Sequence, residues 1–282
     1  MIRLITDTSS LYTPAEAREL GFIVNPLSVT IGGKSYLEYV EINDKEFLEL
    51  IQKGTDFPSS SQPSVGMVLE SIESIPAEDD IIYLCLADGL SGTYQTALSA
   101  VSQLPEDRQK KIHVINSKTL CGPHRYLVQL ILKWITEDKT ITDILALVEK
   151  KLATAKSFLL PSDFGFLKRG GRCTPLAATI GGVLKLQPVV MQTPDGKRLD
   201  KFITGRSFDI AVNKILSTLN ENNGLHNMRV YISHAFAKDL ATKVKDKITS
   251  LYPQQVIEIV ELSCAFITQG GPRCLAIQII EN

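Results

Sequence analysis

The sequence has no excess of charge of either sign and no long apolar run. Thirty Lys and Arg residues are balanced by thirty-one Asp and Glu residues in a chain of 282, for a formal net charge of −1. Without a basic excess, the chain has no global field that would attract nucleic acid. The best apolar run, Ile81 to Ala87, is strand-sized and falls short of the ~18 residues that a membrane span needs. The N-terminal segment lacks the cationic and apolar parts of an export signal, so we predict a cytoplasmic location.

Cysteine is scarce, and the common catalytic motifs are missing. The five cysteines are odd in number, widely spaced and contain no CxxC pair, which favours buried reduced thiols over disulfides or a zinc site. The chain also has no GxSxG, no HExxH, no P-loop and no GxGxxG after its first predicted strand. These absences disfavour nucleotide binding and remove the usual signatures of serine and zinc hydrolases.

The length and composition are those of a globular chain with two domains or one large one. Over residues 1–156, short apolar strands alternate with helices, which predicts a parallel sheet covered on both faces. From 157 to 282 the pattern changes, and Asp195-Gly196 is a hairpin signal. We therefore predict an α/β protein with a parallel-sheet domain at 1–156 and a mixed-sheet α/β domain at 157–282.

Polar clusters follow the predicted strands of the first domain. They are Asp7 to Ser9, Asp88 to Thr93 and Asn116 to Lys118, and a further polar stretch, Ser59 to Ser64, precedes a helix. Ligands of parallel sheets bind beyond the carboxyl ends of the strands, where helix-start N–H groups and hydroxyls suit an anion. Ser and Asp also cap helices for structural reasons. Several such loops together favour an anion-binding edge over capping alone.

The four histidines offer little support for catalysis. His113 lies inside a predicted strand, and we interpret it as structural. His124 and His226 lie at helix-start or loop positions, and we expect both to be solvated. His234 ends an apolar strand, so a site and a structural role both stay open for it. Because no elbow or triad motif surrounds Ser91, it is a better hydrogen-bond donor than nucleophile.

The densest basic feature of the sequence is the run Lys168, Arg169 and Arg172, with two glycines between the arginines. A solvated surface is one interpretation, because Lys and Arg are common there. The glycines predict an exposed tight turn, which favours a docking loop or an anion contact instead. A second glycine-rich turn, Thr268 to Arg273, lies between apolar segments near the end of the sequence.

Five segments, in this order along the chain, resemble motifs of the DegV family. They are Asp7-Thr8-Ser9, Ser60-Ser61-Gln62-Pro63-Ser64, Leu90-Ser91-Gly92-Thr93-Tyr94-Gln95, Leu167-Lys168-Arg169-Gly170-Gly171-Arg172 and the Gly271-Pro272 turn. The SGTYQ and LKRGGR strings are the most specific, and the match runs over essentially the whole chain. The resemblance implies two α/β domains with a long-chain fatty acid in a slot between them. It also implies a carrier subunit that presents the acyl carboxylate to a separate fatty acid kinase, which forms acyl-phosphate for phospholipid metabolism.

The resemblance assigns roles to residues motif by motif. The fatty-acid carboxylate would be bound by Ser60, Ser61, Ser91, Gly92, Thr93, Thr268, Gln269 and Arg273. The kinase would dock on Lys168, Arg169, Arg172 and Arg206. Ser60 replaces a family threonine as hydroxyl donor, and Ser91 matches its motif directly. No catalytic residue, metal or cofactor is implied.

Besides Ser60, the chain departs from the family pattern at three further positions. Gln269 stands where a histidine is expected, Arg273 where a glycine is expected, and Asn116 where an acid is usual. A glutamine donates N–H but cannot become cationic, so a histidine-dependent response to pH would be absent. We hypothesise that Arg273 supplies compensating positive charge; retuning of the site for another lipid or anion is the alternative.

Several functions stay open from the sequence. Burying roughly a dozen methylenes contributes on the order of 10 kcal/mol before binding costs, so a fatty acid of about C14–C18 would be held mainly by its tail. A carrier would need transient contact with a membrane surface to load and unload. One alternative is a hydrolase or transferase that acts on a small acyl or phosphoryl substrate through Ser91 or His234. Another is a regulator that senses lipid without handing it to a kinase.

Overall fold

The computed structural model describes residues 1–54, 56–175, 187–221 and 224–282. They form two compact units, Met1–Ala153 and Thr154–Asn282, called unit 1 and unit 2 below. Within these ranges, no helix is long and apolar enough to cross a membrane.

Unit 1 is built on a four-stranded parallel sheet in the order β2-β1-β6-β7. These strands are β1 Ile2–Asp7, β2 Ile23–Asn25, β6 Asp80–Cys85 and β7 Ile112–Asn116. The unit's helices are α1 Pro14–Glu19, α2 Asp44–Lys53, α3 Val65–Glu73, α4 Thr93–Val101, α5 Glu106–Gln109, α6 Cys121–Thr136 and α7 Ile141–Leu152. Ile81 to Cys85 is wholly buried, as expected for a parallel strand covered on both faces. The predicted parallel sheet is confirmed.

A small antiparallel sheet, in the order β4-β3-β5, accompanies the parallel one. Its strands are β3 Ser28–Ile31, β4 Lys34–Leu37 and β5 Ser59–Ser61. Serine is not among the β-branched and aromatic residues that favour strands, and β5 forms by pairing its three residues with Ser28, Val29 and Thr30 of β3. The polar stretch that the sequence places before α3 is therefore partly a strand.

Unit 2 contains a six-stranded mixed sheet in the order β10-β9-β8-β13-β11-β12. Its strands are β8 Lys156–Leu160, β9 Gln187–Gln192, β10 Leu199–Gly205, β11 Met228–His234, β12 Val256–Glu261 and β13 Leu275–Glu281. Its helices are α8 Phe164–Gly170, α9 Phe208–Glu221, α10 Lys238–Leu251 and α11 Cys264–Gly270. Strands β11 and β12 are parallel and β13 is antiparallel to β11, so the predicted mixed sheet is confirmed.

Candidate functional site

The strand order of unit 1 creates a crevice at the carboxyl ends of β1 and β6. These two strands are neighbours, with β2 on the far side of β1 and β7 on the far side of β6. The chain therefore leaves β1 and β6 toward opposite edges of the sheet, and such a switch point is where open parallel sheets bind ligands. The segments that border it are the short 3-10 turn Thr8–Ser10 and the loop from Leu86 to Gly92, which leads into α4.

Asp7 fastens the two sides of this crevice together. One carboxylate oxygen accepts from the Ser9 backbone N–H at 2.9 Å, and the other accepts from the Leu86 N–H at 3.0 Å. The side chain is fully buried. Because its oxygens bond to backbone groups that follow β1 and β6, Asp7 positions the loops.

The small sheet forms a third side of the crevice. The Leu27 N–H donates to Thr8 Oγ1 at 3.0 Å, and the Thr8 hydroxyl donates to the buried carboxylate of Glu38. Beyond β5, the Gln62 amide lies directly over Gly92: a Cβ at position 92 would be only 2.8 Å from Gln62 Nε2. The structure thus brings the segment with Ser60 and Ser61 into contact with the Ser91 loop.

Hydroxyl groups collect where α4 begins. Ser91 Oγ lies 2.9 Å from Thr93 Oγ1 and accepts from the Thr93 N–H at 3.3 Å. Thr93 is buried, whereas Ser91 and Gly92 are partly exposed. Hydroxyls beside the first N–H groups of a nine-residue helix suit a carboxylate or another anion.

Asn116, the last residue of β7, connects the loops that follow β6 and β7 through one amide oxygen. Its Oδ1 accepts from the Asp88 N–H at 3.2 Å and from the Lys118 N–H at 2.9 Å. An amide oxygen is sufficient for both bonds, so Asn116 needs no carboxylate to connect the loops after β6 and β7.

The sequence predicts a solvated side chain for His124, and this prediction is wrong. The side chain is fully buried in the first turn of α6, with Nε2 2.8 Å from Thr6 Oγ1 and Nδ1 3.0 Å from Ser9 Oγ. Thr6 Oγ1 already donates to the Leu84 carbonyl at 2.8 Å, so it accepts from Nε2–H, and Ser9 donates to Nδ1. Burial lowers the pKa of His124, opposed by the nearby Asp7 charge. His226, in contrast, is exposed as predicted.

In unit 2, α11 contains Thr268 and Gln269 and places the Gln269 amide beside Gly170, within the basic run Lys168 to Arg172. Thr268 is buried, its hydroxyl donates to the Ala265 carbonyl at 2.6 Å, and it accepts from Gln269 Nε2 at 3.0 Å. The Gln269 amide lies over Gly170, the last residue of α8: a Cβ at position 170 would overlap Oε1 and lie 2.9 Å from Cδ. Position 170 therefore needs a glycine if Gln269 is to keep this position.

Arg273 is engaged within unit 2. Its guanidinium donates to both carboxylate oxygens of Asp239, at 3.1 and 2.8 Å, and to the Phe236 carbonyl at 3.3 Å. The pair is half-exposed, so solvent screens it. The Arg273 side chain lowers the pKa of Asp239, chiefly through these hydrogen bonds.

The predicted docking residues lie on the surface of unit 2. Lys168, Arg169 and Arg206 are exposed, and Arg172 is partly buried. Gly171, which follows α8, has a φ of +69°, a left-handed conformation that glycine adopts without strain. The expected turn is thus present at Gly171, whereas Lys168, Arg169 and Gly170 belong to the last turn of α8 and not to a loop.

His234 ends β11 in a structural setting. It is buried, its Nδ1 accepts from the Ala237 N–H at 3.4 Å, and its backbone carbonyl accepts from Leu262 N–H at 2.8 Å. Burial lowers the pKa of His234. Among the described residues, its ring makes no hydrogen bond to a hydroxyl or thiol, and no group of three or more His, Cys, Asp or Glu could hold a metal ion.

Unit 1 is an open parallel sheet with a hydroxyl-rich switch point, and unit 2 is a mixed-sheet unit whose α11 holds an amide over a basic turn. Together they define a class of two-unit α/β proteins. The chain belongs to the DegV family: the family model described as "Uncharacterised protein, DegV family" matches residues 1–282. The family and the fold class predicted from the sequence are confirmed.

Similar proteins cover nearly the whole chain. A DegV domain-containing protein of Halalkalibacterium halodurans is 31% identical over 92% of this chain and 90% of its own. The solved structure of DegV from Bacillus subtilis, described as a fatty acid binding protein, is 26% identical with a TM-score of 0.85, covering 100% and 99% of the two chains. A stearic acid-binding protein from Eubacterium ventriosum is 21% identical with a TM-score of 0.88, covering 100% and 98%.

Proposed function

We propose that this protein binds a long-chain fatty acid and presents its carboxylate to a separate fatty acid kinase. The observation that carries the proposal is the hydroxyl cluster at the switch point of unit 1, where Ser91 and Thr93 lie at the start of α4 beside Gln62. The description of the Bacillus subtilis relative as a fatty acid binding protein supports the choice of ligand.

The proposed contacts to the carboxylate come from both units. Unit 1 contributes Ser60, Ser61 and the Ser91-Gly92-Thr93 segment, and unit 2 contributes Thr268 and Gln269. The serine and Thr93 hydroxyls, the backbone N–H groups at the start of α4 and the Gln269 amide can donate hydrogen bonds to the carboxylate. Thr268 already donates to the Ala265 carbonyl and accepts from Gln269 Nε2, so its role is to position the Gln269 amide. We propose that the protein binds and orients the acyl group while the kinase supplies the chemistry. A hydrogen bond to a charged group contributes about 1.5–3 kcal/mol, less than the burial of a long tail, so these residues mainly orient the carboxylate.

Docking is assigned to the exposed cations Lys168, Arg169 and Arg206 together with Arg172. Each carries a positive charge that an acidic surface of the kinase would meet. In this proposal the protein is cytoplasmic, and it contacts a membrane surface transiently when it takes up or releases the fatty acid.

The test combines denaturing extraction and mass spectrometry with a kinase assay. We expect the purified protein to carry one fatty acid per chain, and acyl-phosphate to form only when the loaded protein, the kinase and ATP are together. The variant Ser91→Ala should lose fatty acid faster, while Ser102→Ala, at the far end of α4, is the matched control. Protein that takes up no added stearic acid, or that turns over acyl substrates alone, would contradict the proposal.

The role of Arg273 as a compensating charge needs its own test because Asp239 already pairs with it. If the guanidinium contributes to carboxylate binding, Arg273→Ala lowers retention of stearic acid, and Asp239→Asn, which removes the competing carboxylate, raises it. Equal retention in both variants and the wild type, measured by competitive displacement of a fluorescent fatty acid, would exclude this role.

A further inference from the structure

Two guanidinium groups bind successive carbonyls of the turn that follows α8. Arg172 Nη1 donates to the Gly170 carbonyl at 2.5 Å, and Arg198 Nη1 donates to the Gly171 carbonyl at 3.1 Å. Arg198 comes from the hairpin between β9 and β10. Resemblance to known motifs does not single it out, because it lies outside the LKRGGR string.

Backbone hydrogen bonds attach this hairpin to the turn. The Leu199 N–H donates to the Arg172 carbonyl at 3.0 Å, and the Thr174 N–H donates to the Leu199 carbonyl at 2.8 Å. Both arginines therefore project from one fixed backbone frame, so their positions relative to each other are set before any partner arrives.

The charge on Arg198 is not offset within its surroundings. It is exposed, and in the part of the chain that the structure describes, no carboxylate lies within salt-bridge distance of it. The acids that flank it have other partners: Asp195 accepts from Thr193 Oγ1 and the Lys197 N–H, and Asp200 accepts from Thr174 Oγ1 and the Lys201 N–H. Burial, and secondarily the Arg198 charge, lower the pKa of Arg172, so the two cations repel each other.

We propose that Arg198 and Arg172 form one docking surface, which binds an acidic patch on a partner protein; given the proposed function, on which this inference rests, that partner is the fatty acid kinase. Two like charges held close together cost free energy that a carboxylate placed between them recovers. The exposed Lys168 and Arg169 extend the positive surface along the end of α8. A set of separated cations fits an acidic protein surface better than a single small anion.

The test measures binding of the loaded protein to the purified kinase by surface plasmon resonance at two salt concentrations. We expect Arg198→Glu to raise the Kd for the kinase by about tenfold or more, because the variant replaces an attraction to the acidic patch with a repulsion. The effect should be larger at low salt, where charges are screened less. Lys197→Glu, with the same charge change at the preceding exposed residue, is the control and should stay within about twofold. Fatty acid retention and the thermal midpoint should be unchanged in both variants.

A double-mutant cycle supplies the second criterion. If the two arginines share one acidic partner, the losses caused by Arg172→Gln and Arg198→Gln are not additive. Equal weakening by Arg198→Glu and Lys197→Glu, or normal docking of Arg198→Glu, overturns this inference alone. A wild-type protein that carries fatty acid and yet binds no kinase overturns the proposed function instead.

Discussion

At the scale of single residues, two glutamine side chains lie over glycines of the neighbouring motif. Gln62 lies over Gly92 in unit 1, and Gln269 lies over Gly170 in unit 2. In both places a Cβ on the glycine would occupy space that the amide now fills. The motifs identify these residues from the sequence, but their pairing is not visible there, because it depends on tertiary contacts between distant segments.

Gly170→Ala is expected to lower the affinity for stearic acid by moving the Gln269 amide. The loss should be about as large as that of Gln269→Ala, about tenfold for one hydrogen bond to a charged group, and the double variant should be no worse than either single one. Isothermal titration measures all three. Gly66→Ala is the control, because the nearest atom, Ser64 Oγ, would lie 4.0 Å from its Cβ. Additive losses would show that Gly170 does not act through Gln269.

His124 gives unit 1 a stability that depends on pH. The unfolded histidine has a pKa of about 6.5, and the folded pKa is lower, so below this pH the unfolded state binds more protons. The contribution of neutral His124 is therefore complete above pH ~6.5 and is lost as the pH falls toward the folded pKa. His234 acts in the same direction in unit 2.

Urea unfolding of His124→Gln between pH 7.5 and 5 tests this account. The variant should be less stable than the wild type at pH 7.5, by about 1–3 kcal/mol for disturbed buried hydrogen bonds, and should lose less stability on acidification. The exposed His226→Gln should reproduce the wild-type pH dependence. A His124→Gln profile parallel to that of the wild type would mean that His124 does not titrate in this range.

At the scale of elements, the hydrophobic pattern of the sequence predicts the buried strands and the helices that alternate with them. The near-continuous apolar run around β6 and the alternation with helices predict the parallel sheet correctly. The strand β5 and the burial of His124 are not predicted: the first depends on pairing with β3, and the second depends on α6 packing against the Thr8–Ser10 turn. In both, tertiary contacts override the local preference of the residues.

The crevice at the carboxyl ends of β1 and β6 depends on the Asp7 carboxylate. Asp7→Ala leaves the buried N–H groups of Ser9 and Leu86 without their acceptor, which should cost about 2–5 kcal/mol for two such groups. Asp7→Asn, which keeps one oxygen, should lose less. Urea denaturation measures the loss, and Asp107→Ala, at a 98% exposed side chain, should leave the midpoint unchanged. Wild-type stability in Asp7→Ala would show that these bonds do not hold the loops.

At the scale of the whole molecule, the candidate residues belong to two compact units joined by one chain. The balanced charge gives no global field that would attract nucleic acid, and the collinear motifs predict the family. The motifs predict the members of the site but not the partners that position each one, such as Asp239 for Arg273. These depend on residues outside the motifs.

Hydrogen exchange of delipidated and stearic acid-loaded protein tests whether one ligand engages both units. A ligand that binds only the folded state stabilises it by RT ln(1 + [L]/Kd), about 2.7 kcal/mol at a hundredfold excess over Kd. If Ser91 and Gln269 contact the same carboxylate, loading slows exchange at the start of α4 and in α11 together. Ser91→Ala should then reduce the protection of α11 as well. Protection of α4 alone, unchanged in α11, would mean that unit 2 does not contact the fatty acid, and the carboxylate site would have to be assigned to unit 1 by itself.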